Sequence, residues 1–304
     1  MTFTVLHEEP ITRKYRASKC SCAYICKSFI AIIVFILPLI ICFASQGFWK
    51  KTNTYWEQPG LMFKNRYIFV VRCDDTDKYF VHSSYPVINL AESSRLKIPI
   101  FEMIPSDRND DRLPDEIKIL VRFPVESDDR ITGILWMLLF DFRLQLRSVL
   151  STEVLLFGDE SSVHPATGLN VYGDLFLEQS YPLPHAGRFP NYGGSIINES
   201  VLSAPYYGPE NILKRLSQRN QTATLKRKFQ QWISKPVNNG YFTFSLDIAI
   251  PEQEFVYRTG AFELLKWAWI QYFSIFVIFY IIARKILSFF FVNRIFDLYV
   301  AKSD

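Results

Sequence analysis

The chain has 304 residues, 49% hydrophobic and 21% charged, with a formal net charge of +4 and five cysteines. The apolar residues concentrate in two runs and the excess basic residues sit beside them, so juxtamembrane clusters explain the charge more simply than a nucleic-acid-binding face, and no nucleic-acid partner is expected. Cys20, Cys22, Cys26 and Cys42 lie before or within the first run, leaving Cys73 alone in the long middle segment. That segment therefore has no internal disulfide and must fold on its own core, for which it is long enough.

Residues 1–27 form a polar, basic leader expected to lie in the cytosol. Residues 28–46, SFIAIIVFILPLIICFASQ, carry no charge and read as a first transmembrane helix. A cleaved signal peptide would have a shorter apolar region and a small-residue cleavage site, whereas this run ends in Gly47, Phe48, Trp49, Lys50 and Lys51. Pro38 sits mid-span, where a kink is tolerated if neighbours satisfy the freed carbonyl.

Residues 47–266 form the middle segment, and its dominant period is two. Ile117, Ile119, Val121 and Phe123 alternate with polar residues, as do Phe140, Phe142, Leu144 and Leu146, and then Phe242, Phe244, Leu246, Ile248 and Ile250. Further strands are expected at Arg66–Arg72, Lys78–Tyr85 and Val171–Glu178. The spacing predicts an antiparallel sandwich with one wet face on each sheet. Glu210–Arg219 reads as a helix. A second is expected at Leu225–Ile233, where Leu225, Phe229, Trp232 and Ile233 fall on one helical face.

Residues 267–283, WAWIQYFSIFVIFYIIA, form the second expected span. As a helix they rise roughly 26 Å, close to the ~30 Å hydrocarbon thickness of a bilayer. Trp267, Trp269 and Tyr272 crowd one end as an interfacial belt, and Arg284 and Lys285 close the other. Residues 284–304 form a tail that either continues the helix or lies along the interface. Arg13, Lys14, Arg16, Lys19 and Lys27 precede the first run, against Lys50, Lys51 and Lys64 after it. Arg284, Lys285, Arg294 and Lys302 follow the second, against Arg258 and Lys266 before it. Both comparisons place the termini in the cytosol and the middle segment in the lumen or outside. The sequons Asn198-Glu199-Ser200 and Asn220-Gln221-Thr222 fall on that side, so Asn198 and Asn220 are expected glycosylation sites.

Catalytic chemistry has little support. His82, His164 and His185 show no metal-ligand spacing, and Gly193-Gly194-Ser195 lacks the second half of a nucleophile elbow. No enzyme activity, catalytic residue, cofactor, metal or small-molecule substrate is expected. Asp107, Asn109 and Asp111 alternate, with Asp115 following, as in half of a calcium loop. Arg112 stands where that loop wants glycine and Lys118 where it wants glutamate, which favours a simple acidic turn. Cys20, Cys22 and Cys26 adjoin the first span, where palmitoylation competes with unmodified thiols. Neither span carries an ionisable residue at mid-depth, which disfavours transport.

The segments ITRKYRASKCS, GFWKKTNTYWEQP, DRNDD, NVYGDLFLEQS, NQT and FELLKWAWIQYFSIFVIFYIIARKI, in that order, resemble the transmembrane protein 231 family. The resemblance implies a two-span glycoprotein of the ciliary transition zone, with other transition-zone membrane proteins and B9-domain proteins as partners besides the lipid bilayer. It implies a part in the diffusion barrier that controls ciliary membrane composition, in ciliogenesis and in Hedgehog signalling. The competing readings share the topology: a two-span channel subunit, or an accessory chaperone of a membrane pump. Both generally carry paired cysteines in the large loop, where this chain has Cys73 alone.

Overall fold

Alternating apolar residues of the middle segment fold into two facing five-stranded sheets. The computed structural model describes residues 13–18, 21–45, 48, 50–75, 77–126, 128–234, 240–296 and 299–302. It divides into one unit made of the chain's two ends and a second unit, Thr52–Arg258.

In the second unit the first sheet is built on β3 (Gly60–Cys73), β4 (Tyr79–Ser83), β7 (Ile131–Leu144), β8 (Ser148–Ser161) and β10 (Gly187–Phe189), in the order β10-β8-β7-β3-β4. The second contains β5 (Ile100–Ser106), β6 (Glu116–Pro124), β9 (Gly168–Gln179), β11 (Gln221–Ile233) and β12 (Tyr241–Ala249), in the order β11-β9-β12-β6-β5. Pairing is antiparallel except between β9 and β12 and between β8 and β10. A short ribbon pairs β2 (Thr52–Glu57) with β13 (Gln253–Arg258), so the module is entered and left at one place.

The core between the sheets is aromatic. Phe69, Trp136, Phe140, Phe142 and Phe244 have no exposed surface, and Phe69 meets Phe123 and Phe244 edge-on with centroids 5.6 and 6.0 Å apart. Such pairs add to the burial term through their quadrupoles. The first sheet is not wet on its outer face. Helices α2 (Pro86–Ala91) and α3 (Pro209–Ser217), with a 3₁₀ turn at Ala204–Tyr207, cover it, so that Ile68, Met137, Leu139 and Leu155 form a second core with Tyr207 and Ile212. β7 is consequently buried on both sides.

The expected helix at Leu225–Ile233 is instead the end of β11, paired with β9. A bulge between Lys226 and Phe229, with Arg227 at φ 46°, inserts residues into an otherwise two-residue repeat. The insertion turns strand alternation into a spacing that mimics a helix. The expected helix at Glu210–Arg219 is found as α3.

In the unit made of the chain's ends, α1 (Cys22–Ala44) and α4 (Ala261–Val292) are the apolar helices, and β1 (Arg13–Arg16) pairs with β14 (Tyr299–Lys302). Residues 1–12 and 19–20 of the leader lie outside the described residues.

Candidate functional site: spanning hairpin, sequons and acidic turn

Helix α1 starts where Ser21 caps it, the hydroxyl accepting from the N–H of Tyr24 at 3.4 Å. Helix α4 has 32 residues, roughly 48 Å of rise, so helical hydrogen bonding continues well past the uncharged window. The two run antiparallel: Tyr15 stacks on Phe291 near one end, Phe35 packs on Phe276, and the Lys50 ammonium lies 5.5 Å from the Trp267 ring centre at the other end. On α1 the buried residues Val34, Pro38 and Cys42 recur every four positions; on α4 the buried residues are the small Ala268 and Ala283. Close approach at small side chains is how helices pack where hydrophobic collapse gives no advantage.

Pro38 removes the N–H that would serve the Val34 carbonyl. In that turn the Tyr272 hydroxyl donates to the carbonyl of Phe35 at 3.3 Å. One side chain therefore links the two helices beside the proline, at the carbonyl next to the one that Pro38 leaves without its N–H. Away from the seam Phe29, Ile36, Phe43, Trp269 and Ile278 are exposed, an apolar exterior suited to lipid rather than water.

Of the cysteines considered for lipidation, Cys22 is the exposed first residue of α1, Cys26 is half-buried and Cys20 lies outside the described residues. Cys73 is buried, and burial pushes its thiol up, which keeps it inert.

Both sequons lie in the β module. Asn198 is exposed in the loop after β10; its Oδ1 accepts from the N–H of Ser200 at 3.0 Å, and its neighbour Glu199 is gripped by Arg66 of β3 through two hydrogen bonds. Asn220 is half-buried just before β11. Its Oδ1 accepts from the N–H of Tyr181 at 2.7 Å and its Nδ2 donates to the Tyr192 hydroxyl at 3.4 Å. The two sequons thus differ in how free the carboxamide is.

The acidic turn joins β5 to β6. Asp107 accepts from the N–H of Arg112, Asp111 from that of Leu113, and Asp115 from the N–H of Arg108 and the Gln58 amide. These bonds to Arg108 and Gln58 hold Asp115 below the usual carboxylate range. The carboxylates are spent on their own backbone, as Asx turns do, with Asp110 and Arg112 in left-handed conformations. Among the described residues no group of three or more His, Cys, Asp or Glu side chains converges as a metal site.

One group escaped the sequence reading. Glu57 of β2 is buried, and its Oε1 accepts the N–H of Leu146, at 3.0 Å, and that of Gln145 in the β7–β8 turn. Burial raises its pKa, against the lowering effect of those two donors. The folded protein therefore binds this proton more tightly than the unfolded chain, and the stability so gained is lost as pH rises through the raised value. The Glu57→Gln variant keeps the acceptor and lacks the titration. In thermal melts of the full chain in detergent, wild type minus variant is expected to become less favourable from acid toward neutral pH. A flat difference counts against the assignment.

The family described as Transmembrane protein 231 matches residues 1–300. The chain belongs to that family. Transmembrane protein 231 of Xenopus tropicalis is 32% identical over 295 residues, covering 97% of this chain and 95% of that protein. The Homo sapiens protein of the same name is 30% identical over 296 residues, covering 97% and 94%. The family is one of membrane proteins, and the two long apolar helices flanking a mostly-β module are its membrane-crossing elements here. A solved proton-activated chloride channel aligns with 88% of this chain and 97% of its own at 7% identity, but its TM-score of 0.27 is too slight to support an argument.

Proposed function

We propose that this protein is a non-enzymatic scaffold of the ciliary transition zone, held with other membrane and B9-domain proteins in the barrier that governs ciliary membrane composition, ciliogenesis and Hedgehog signalling. Membership of the transmembrane protein 231 family supports the reading. The observation that carries it is architectural: the sandwich is filled by large aromatic side chains, and its first and last strands pair, Thr52 with Arg258. A module packed solid and tethered at one point offers partners its outside rather than a substrate its inside. The termini are assigned to the cytosol and the module to the lumen or exterior. A tagged full-length copy in a ciliated cell tests the location: a ring at the cilium base supports it, and a diffuse plasma-membrane signal overturns it.

The sidedness has its own test. Removing N-linked sugar enzymatically is expected to increase the protein's mobility on a gel. Asn198→Gln should abolish most of that change and Asn220→Gln less, because the Asn220 carboxamide is engaged at both ends. No mobility change in wild type would mean that neither sequon carries sugar and would remove this support for the assignment.

A further inference from the structure

Charge at the basic end of the two apolar helices is unbalanced. β1, α1, α4 and β14 each bring lysine or arginine to it, Lys27 from α1 and Arg284 and Lys285 from α4 among them. Among the described residues of that end there is no Asp or Glu; Glu263 lies in the first turn of α4, at the other end. Arg16 and Lys27 are exposed, and neither has an ion-pair partner among the described residues. Basic side chains placed this way beside a membrane span attract anionic lipid.

Those two cations share a cavity. It measures about 530 Å³ and is lined by Tyr15, Arg16 and Ala17 of the leader, Ala23, Tyr24 and Lys27 of α1, and Phe291 of α4. Small-molecule sites run from roughly 300 to 1,000 Å³. Its walls are held in place. β1 pairs with β14, setting Arg16 opposite Tyr299, and the Tyr15 ring stacks on Phe291 with centroids 6.3 Å apart. The Ser21 hydroxyl donates to the Ser18 carbonyl at 2.8 Å, closing the turn between β1 and α1. Tyr24 and Lys27 are three residues apart and so share a face of the helix. Its depth follows from the helix contact. Lys27 precedes Phe35 by eight residues, and Arg284 follows Phe276, which packs on Phe35, by the same number. In antiparallel helices both cations then stand about 12 Å from that contact, at one level. That level closes both uncharged runs, so the cavity lies among lipid headgroups.

We propose that this cavity binds the headgroup of an anionic phospholipid that carries phosphate and no ammonium, an inositol phosphate, with the acyl chains left in the bilayer. Arg16 offers a planar fork of donors to phosphate oxygens and Lys27 a compact point charge. The hydroxyls of Tyr15 and Tyr24 donate to phosphate or accept from ring hydroxyls. Charge selects the headgroup. Choline, ethanolamine and serine headgroups each bring an ammonium, which would meet two cations here and, among the described residues, no carboxylate. An acidic peptide would have to displace lipid from a cavity at headgroup depth. The cytosolic assignment of this end puts the site in the leaflet where anionic lipids collect. Binding measured in detergent is independent of that assignment.

The test titrates the full-length protein in detergent with dioctanoyl phosphatidylinositol 4,5-bisphosphate and counts lipid adducts by native mass spectrometry. One lipid per chain is expected, bound more tightly than dioctanoyl phosphatidylserine, dioctanoyl phosphatidylcholine or free inositol 1,4,5-trisphosphate. The Arg16→Gln, Lys27→Gln double variant should bind about thirtyfold more weakly, with unchanged helical circular dichroism. Arg284→Gln with Lys285→Gln removes the same charge from the same end outside the cavity, and should weaken binding several-fold less. Ala17→Trp fills the cavity and keeps every charge, and should weaken binding about tenfold or more. Each of the following would overturn the site: no saturable adduct, equal affinity for phosphatidylserine or phosphatidylcholine, equal weakening by the Arg284 and Lys285 pair, or wild-type binding by Ala17→Trp. Equal affinity for inositol trisphosphate would overturn the lipid as its source. The assay reads nothing of cellular location, so its failure and that of the scaffold reading are separate results.

Discussion

Gly158→Ala is expected to destabilise the β module by about 3 kcal/mol, the upper range of overpacking costs. At 2–4 °C per kcal/mol for a domain of this size, the melting temperature of the full chain in detergent should fall by roughly 6–12 °C. Gly158 of β8 is paired directly with Trp136 of β7, and the indole lies across it. A Cβ at position 158 would come within 2.4 Å of the indole Cε2. Flexible side chains escape such collisions cheaply; this one cannot. Trp136 is completely buried, and Phe244 of the facing sheet stands 5.8 Å from its ring centre. An aromatic ring laid over a cross-strand glycine supplies the packing that glycine lacks. Trp136→Leu alone should cost a few kcal/mol through the cavity it leaves. Combined with Gly158→Ala it should cost less than the sum, because the smaller side chain leaves room for the new methyl. Simple additivity, or an alanine variant melting within 2 °C of wild type, would refute the geometry.

Two pairs of strands show what could be read from residues alone. β6 and β12 were legible because polar residues such as Lys118 and Asp247 punctuate their apolar ones, and these two meet across the ladder at 3.5 Å. β8 was not legible. Its Val154, Leu155 and Leu156 are all buried, the first and third in the inter-sheet core and the second under the helical cover, so alternation vanishes. The wet outer face expected on both sheets fails for the first sheet for that reason. The cover itself is non-local: α2 and α3 are far apart in the chain and meet only through the fold. For the candidate sites, the sequons and the two apolar runs are motifs and could be found by eye. Glu57 could not, since its burial depends on the β7–β8 turn closing over it.

Asp129→Asn is expected to cost about 3 kcal/mol at neutral pH, the low end for removing one partner of a buried ion pair. The Asp129 carboxylate has no exposed surface and lies 2.6 Å from the ammonium of Lys78 and 2.6 Å from that of Lys97, while accepting the N–H of Glu126 at 2.8 Å. It ties together three connections: the turn between β3 and β4, the segment leading into β5, and the turn between β6 and β7. An amide in its place leaves Lys78 without its ion-pair partner and Lys97 with only the exposed carboxylate of Glu126, 3.7 Å away. Lys78, at 40% exposed, can turn to water; Lys97, at 18% exposed and with its ammonium 3.7 Å from the Phe80 ring centre, has less freedom. The pH dependence separates loss of the ion pair from general damage to the turn. Burial alone would raise the Asp129 pKa, but the two lysines and the Glu126 N–H outweigh it and hold the group below the usual carboxylate range. Its stabilisation is therefore complete above the ordinary value of about 4 and is lost as pH falls through the lower, folded value. The gap between wild type and Asp129→Asn should be constant from pH 7 down to about pH 4 and close below that. A gap that persists unchanged in acid would mean that the carboxylate's charge contributes nothing, and that the turn was damaged in some other way.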